Sequence, residues 1–250
     1  VSSIDLNSDL GEWDLPAEAD ADARMFGIVS SANIACGFHA GNEQSMLASA
    51  RQAASDGVSL GAHPSYRDRE GFGRRDRDVD AVTLIADILE QVTALSTAAE
   101  AAGARIRYLK PHGALYNRIA VDPAQADAVA QAAREAGLPL LGLAGTAIHR
   151  AADRHGIGFF REAFVDRAYL ADGTLVPRSS QDAVITEPVE AAARAVRMVT
   201  DGIVRAIDGT ELEVELDSLC VHGDTSGALA MAQLVRERLL ATGIDIRPFS

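Results

Sequence analysis

The sequence predicts an α/β fold in which seven parallel strands close, or nearly close, into a β/α barrel wrapped by helices. Three observations lead there. Short apolar runs alternate with helical patterns along the chain. No Ser/Gly-rich linker, low-complexity tract or internal repeat divides the 250 residues, so a single domain over 1–250 is expected. The apolar runs also end repeatedly in polar, titratable clusters, which parallel strands alternating with helices gather at one rim.

The strands are expected near 4–7, 29–35, 58–62, 105–110, 139–143, 158–164 and 217–222, segments rich in Val, Ile, Leu and Phe and bounded by Gly or Asp. Between most of them lie helical patterns. Over 81–102, Val82, Ile85, Leu89, Val92 and Leu95 recur at three- and four-residue spacing, with Asp80 placed to cap the start and Gly103 to end it. Asp122-Pro123 opens another helix that Gly137 closes. Thr225 or Ser226 opens the last, which runs to about Gly243. Over 165–186 the pattern changes. Ala168-Tyr169-Leu170 and Thr174-Leu175-Val176 flank the turn pair Asp172-Gly173, as in a hairpin laid over one rim.

Composition narrows the function classes. With 48% hydrophobic and 24% charged residues the chain can bury a full core, and its net charge of -13 disfavours nucleic acid and anionic membrane surfaces as partners. No apolar stretch is expected to reach the roughly 20 residues that span a bilayer, and the N-terminus lacks a basic segment followed by an apolar signal core. A cytoplasmic protein is expected. Cys36 and Cys220 sit in strand-like runs without Cys-x-x-Cys spacing, which favours buried, reduced thiols.

The candidate site residues stand in those clusters. Lys110 is the only lysine; the other 22 of the 23 basic residues are arginine. An ammonium kept where arginine is otherwise always chosen points to a chemical role, since lysine is a compact charge whose proton responds to burial. Asp5, Asn7 and Asp9 alternate along the first strand and project to one side, able to hold a cation or a substrate amine; a structural polar layer inside the barrel would use the same residues. Glu12 follows after a glycine. His39 and His63 each follow a strand, and two such histidines with an aspartate would make a three-ligand site for zinc or another transition metal. Whether a metal is bound is left open.

His149 and His155 fall on a helical segment and are expected at the surface. In Gly71-Phe72-Gly73-Arg74-Arg75 the glycines permit close backbone approach to a ligand, and Arg74 could grip a carboxylate or phosphate. Asp68, Glu70, Asp76 and Asp78 could instead pair with these arginines at the surface. His222 and Asp224 lie two apart after the last strand and could face one pocket as acid-base or orienting groups. There is no phosphate loop of the form Gly-x-x-x-x-Gly-Lys-Ser/Thr and no Gly-x-Ser-x-Gly elbow.

These motifs carry a resemblance. Asp5-Leu6-Asn7 through Glu12, Ser31 through Gly41, Gly61-Ala62-His63-Pro64, Gly71 through Arg75, Lys110 through Asn117, Asp166-Arg167, Tyr169, Leu175-Val176 with Arg178, and Val221 through Asp224 resemble the LamB/YcsF family, over essentially the whole chain. Asn42, where the family usually has aspartate, and Ser65 and Arg67, where it has Gly and Pro, depart from the pattern. The resemblance implies the seven-stranded β/α barrel of polysaccharide deacetylases. It also implies one component of an ATP-dependent 5-oxoprolinase, the A subunit, which works with subunits B and C to open 5-oxoproline to glutamate, using ATP as co-substrate with magnesium.

A lactam is a resonance-stabilised amide, and phosphorylation would turn its oxygen into a leaving group, which accounts for ATP without a phosphate loop here. In that scheme Lys110 and Arg167 hold a carboxylate or phosphate, while Asp9, His39, His63 and His112 position water and shuttle protons. Asp5, Asn7, Arg74, His222 and Asp224 complete the substrate site. Two rivals remain at this stage: a metal-dependent amide or N-acetyl hydrolase on the same barrel, and a non-catalytic subunit that binds substrate for its partners.

Overall fold

The computed structural model describes residues 3–15, 19–222 and 227–250. Seven strands form the expected closed parallel barrel: β1 (Ser3–Leu10), β2 (Ser31–Ala35), β3 (Ser59–His63), β4 (Ile106–Leu109), β5 (Leu140–Leu143), β6 (Phe159–Phe164) and β9 (Ser218–Cys220). Each pairs with the next in parallel, and β9 returns to β1 with Asp5 opposite Ser218 and Asn7 opposite Cys220. Closure leaves the barrel strands no free edge.

The period-2 alternation of a strand sets the layers. Ile4, Leu6, Ala32, Ile34, Leu60, Ala62 and Leu219 belong to the buried apolar core shared with the surrounding helices. Their neighbours Asp5, Asn7, Asp9, Ser31, Asn33 and Ser218 meet one another in hydrogen bonds within the barrel. The bore is therefore polar. Asp5 is nearly inaccessible, accepts from the hydroxyls of Ser30 and Ser31 at 2.6 Å each, and also accepts from Ser218. Above it, Tyr108 donates to Asn33 Oδ1 at 2.6 Å, and Asn33 Nδ2 donates to Asn7 Oδ1 and Asp9 Oδ1 at 2.7 and 2.8 Å. Gly61 admits the Tyr108 ring: a Cβ there would stand 2.3 Å from two ring carbons.

The helices are α1 (Ala19–Phe26), α2 (Glu43–Asp56), α3 (Ala81–Ala101), α4 (Gly113–Val121), α5 (Pro123–Ala136), α6 (Ala147–His155), α7 (Pro188–Asp201) and α8 (Ala228–Ala241). Asp80 caps α3 through Thr83 N at 3.0 Å, and Asp122 caps α5, which Gly137 ends in the left-handed conformation. Asn42 caps α2, giving that departure from the family pattern a structural use. The expected opening of the last helix at Thr225 or Ser226 lies outside the described residues. His149 and His155 sit partly exposed on α6, one stacked on Phe159 and the other paired with Asp127.

Other elements depart from expectation. β1 runs three residues beyond 7, and two elements went unforeseen: the antiparallel hairpin β7 (Ile203–Arg205) and β8 (Glu211–Glu213), and the short strand β10 (Asp245–Ile246), which pairs with β1. After β10, Phe249 packs 4.9 Å from Tyr108 and 4.4 Å from Phe160, closing the N-terminal end of the barrel. The expectation that no segment could span a bilayer also needs correction. α3, at 21 residues, is long and apolar enough by length and composition, yet Leu84, Ile88, Val92 and Leu95 on it are buried in the core. A strong covering face explains that hydropathy.

Candidate active site

At the C-terminal ends of the strands a cavity of about 1230 Å³ opens, lined by residues that follow β1, β3, β4, β6 and β9. Lys110, one residue past β4, is 2% exposed, and its ammonium lies 2.8 Å from Glu162 Oε1, 3.1 Å from Asp9 Oδ1, 3.2 Å from Asn7 Oδ1 and 3.2 Å from Cys220 Sγ. Burial pulls the amine's pKa down, but Asp9, Cys220 and Glu162 outweigh it and hold the pKa well above the ordinary lysine value. Lys110 is thus a permanent cation whose three hydrogens point at internal acceptors. The Asp9 carboxyl is held well below its usual range, because His63 and Lys110 overcome the cost of burial.

Three imidazoles stand beside this pair. His63, the last residue of β3, places Nδ1 2.7 Å from the Lys110 carbonyl and Nε2 3.2 Å from Asp9 Oδ2. His112 places Nδ1 3.0 Å from His63 Nε2 and Nε2 2.9 Å from the Phe72 carbonyl. His39 stacks on His112 with ring centroids 3.8 Å apart and reaches Glu12 Oε1 at 3.1 Å. Burial and the neighbouring imidazoles hold His39 and His112 well below the ordinary histidine pKa, so both are neutral at physiological pH. The loop at Gly71–Gly73 packs against them. A Cβ on Gly73, whose φ is +65°, would stand 2.8 Å from His112 Cδ2 and 2.9 Å from His39 Cβ.

The opposite side carries a histidine of the other kind. His222, after β9, donates from Nδ1 to the Asp166 carboxylate oxygens at 2.9 and 3.0 Å, and its Nε2 lies 4.0 Å from Asp9 Oδ2. Burial lowers its pKa, but Asp166 wins and raises it above the ordinary value. The hairpin expected over the rim is present, with Tyr169 bridged to Leu175 and Arg167 to Val184. It brings Arg167 and Arg178 to the cavity wall. Arg167 is 5% exposed and donates to the carbonyls of Val176 and Ala183, and burial with Arg178 nearby lowers its pKa.

Seven of the candidates chosen from sequence, Asp9, His63, Arg74, Lys110, His112, Arg167 and His222, therefore line one cavity. His39 lies behind His112, off the wall. Asp5 and Asn7 are not in the cavity lining: both are buried in the bore, bonded to serines, Asn33 and Glu162, as the polar layer inside the barrel would be. Asp224 lies outside the described residues. The glycine loop approaches imidazoles where a ligand was expected. Arg75 pairs with Asp68 and Glu70, and Arg118 pairs with Asp76 and Asp78. The metal grouping shifts from His39, His63 and an aspartate to Asp9, Glu12, His63 and His112, whose ligand atoms all lie within 4.8 Å of one another. Cys36 and Cys220 are buried and unbridged, and burial pushes the Cys36 thiol up to about 12.

Sequence reasoning gave no site role to Glu12, Glu162 or Asp166. The signal for Glu162 was a carboxylate inside a Phe-rich strand; for Asp166 it was adjacency to Arg167 after the same strand.

Known proteins share this arrangement of elements. Residues 4–250 match the model of the LamB/YcsF family. The chain is 51% identical over 255 residues to the A component of 5-oxoprolinase from Mycolicibacterium paratuberculosis, covering 100% of both chains. Among solved structures it superposes with a TM-score of 0.92 and 42% identity on the lactam utilization protein of Thermus thermophilus, covering 99% of this chain and 100% of the other. A family 4 carbohydrate esterase from Streptomyces lividans shares the fold at 11% identity and a TM-score of 0.50, with 99% and 93% covered.

Proposed function

The chain belongs to the LamB/YcsF family, and from that premise we propose that it is the A component of an ATP-dependent 5-oxoprolinase. It opens 5-oxo-L-proline to L-glutamate in the cytoplasm, with ATP and its magnesium as co-substrate and with B and C partner subunits. The observation that carries this reading is full-length identity to the corresponding 5-oxoprolinase component. The cavity supports it by opposing a cationic wall to an acceptor-rich floor.

The chemistry fixes what the site must do. Phosphorylating the lactam oxygen makes the ring carbon electrophilic. Water adds to that carbon, and the ring C–N bond breaks as the nitrogen takes a proton, leaving an acyl phosphate. A second water releases phosphate and glutamate. The phosphorylated oxygen therefore leaves in the second hydrolysis, since its loss in the first would regenerate the lactam.

Within the cavity, Arg167 and Arg178 face the anionic carboxylate or phosphoryl group. The cavity floor around Asp9 and His63, 3.2 Å apart, places and orients the attacking water. His222, whose pKa Asp166 raises, supplies the proton to the departing nitrogen. Lys110 fixes Asp9 and compensates the carboxylates around it. The test is ADP and glutamate formation from 5-oxoproline by the chain with its partner subunits. Turnover that persists when this chain is omitted would refute the assignment.

A further inference from the structure

The two buried imidazoles at the cavity floor bring ring nitrogens within 3.0 Å of each other. His63 donates its Nδ1 hydrogen to the Lys110 carbonyl at 2.7 Å, and His112 donates its Nε2 hydrogen to the Phe72 carbonyl at 2.9 Å. A carbonyl only accepts, so either ring, when neutral, has spent its single N–H there. His63 Nε2 and His112 Nδ1 meet at 3.0 Å, and with both rings neutral each would bring only a lone pair to that contact. Asp9 Oδ2 lies 3.2 Å from His63 Nε2, and Glu12 Oε1 lies 3.6 Å from His112 Nδ1. Four potential ligand atoms converge in a pocket of low accessibility, all within 4.8 Å of one another.

We propose that His63 Nε2, His112 Nδ1, Asp9 Oδ2 and Glu12 bind one divalent transition-metal ion. A tetrahedral ion with bonds of about 2.0–2.2 Å separates its ligand atoms by roughly 3.3–3.5 Å. The edges of 3.0, 3.2 and 3.6 Å bracket that value. Two imidazoles and two carboxylates favour zinc and its first-row neighbours over magnesium or calcium, which prefer all-oxygen sites. The surroundings fix the ligands as they do around bound metals. Backbone carbonyls lock both tautomers, Lys110 holds the other Asp9 oxygen at 3.1 Å, and His39 Nε2 donates to Glu12 at 3.1 Å. Gly73 and Gly113 allow the Phe72 carbonyl to reach His112, because a Cβ on Gly113 would meet Gly73 O at 2.6 Å.

Metal content of the purified full-length chain tests this without partner subunits, ATP or turnover, so its outcome is separate from that of the proposed activity. Expected is roughly one first-row transition ion per chain, lost on dialysis against a chelator, and visible absorption bands when cobalt(II) is titrated back. His63→Ala and His112→Ala should abolish the bands, and Glu12→Gln should weaken cobalt binding at least tenfold. His149→Ala, on the outer helix α6, should leave them unchanged. Circular dichroism and melting temperature identify any variant that fails to fold; for such a variant the wild-type cobalt titration decides. Wild-type protein that carries no stoichiometric metal and gives no cobalt bands would overturn the proposal and leave a shared proton to bridge the two rings.

Discussion

Lys110 Nζ stands 2.8 Å from Glu162 Oε1, and neither side chain reaches solvent. The same ammonium holds Asp9 at 3.1 Å, so one cation compensates two buried carboxylates donated by β1 and β6, the two strands that flank β9. Removing it leaves both charges stranded in a low-dielectric interior. Lys110→Met should therefore destabilise the fold by about 3–5 kcal/mol, read from urea denaturation. Lys110→Arg should also be impaired, because a planar guanidinium cannot aim its donors at four acceptors grouped around a point. A wild-type midpoint for Lys110→Met would show that the triad carries no net compensation.

Asp5 gives the fold a pH dependence of defined sign. Burial raises its pKa from 3.8 to about 6, so the folded protein binds this proton more tightly than the unfolded chain. The associated stability is complete below pH 3.8 and is lost as pH rises through about 6, on the order of 2–3 kcal/mol for one fully buried group. Asp5→Asn should remove that loss. The difference in melting temperature between variant and wild type should grow in the variant's favour from pH 4 to pH 7. A difference that stays flat across this range contradicts the assignment.

The His222 and Asp166 pair sets the alkaline side of catalysis. His222 acts as the acid only while protonated, and Asp166 raises the pH at which it gives up that proton. Asp166→Asn should move the alkaline limb of the kcat profile to lower pH and cut turnover at pH 8 by roughly a hundredfold, with a smaller effect on KM. The measurement is a pH–rate series on the enzyme reconstituted with its partners. An unmoved alkaline limb would remove His222 from the proton transfer.

Gly61 and Tyr108 form a steric lock. With ring carbons 2.3 Å from where a Cβ would stand, and the ring held by Asn33 and Phe249, Gly61→Ala must push an anchored side chain. A loss of about 1–3 kcal/mol is expected. Combining it with Tyr108→Leu should cost less than the two single changes added together, which thermal melts of the four proteins would measure.

Much of this architecture was legible in the chain. Alternation along Asp5, Asn7 and Asp9 placed three polar groups on one side of β1, and Asp80, Asp122 and Gly137 marked helix ends through local capping chemistry. What alternation could not tell is how far along the bore each residue sits. Asp5 and Asn7 share a face with Asp9, but only Asp9 reaches the cavity, because depth depends on register with Ser218 and Cys220. His112, not His39, joins the candidate ligand group for a similar reason. Their stacking is a contact between loops after β2 and β4, and spacing within one segment carries no record of it. β10 and the β7–β8 hairpin are two or three residues per strand, too short for periodicity to register.

Closure through β9 also dictates when this protein becomes competent during synthesis. β1 leaves the ribosome well before β9, yet Asp5 waits for Ser218 and Asn7 for Cys220, partners more than two hundred residues downstream. The final residues follow later still, when Phe249 stoppers the far end. A nascent or truncated chain lacking the last fifth holds its acids and amides against water on an open edge, with Lys110 short of a neighbour and the mouth unformed. Active protein should therefore appear only after β9 has been made, and fragments that lack β9 should be chaperone clients without a formed cavity.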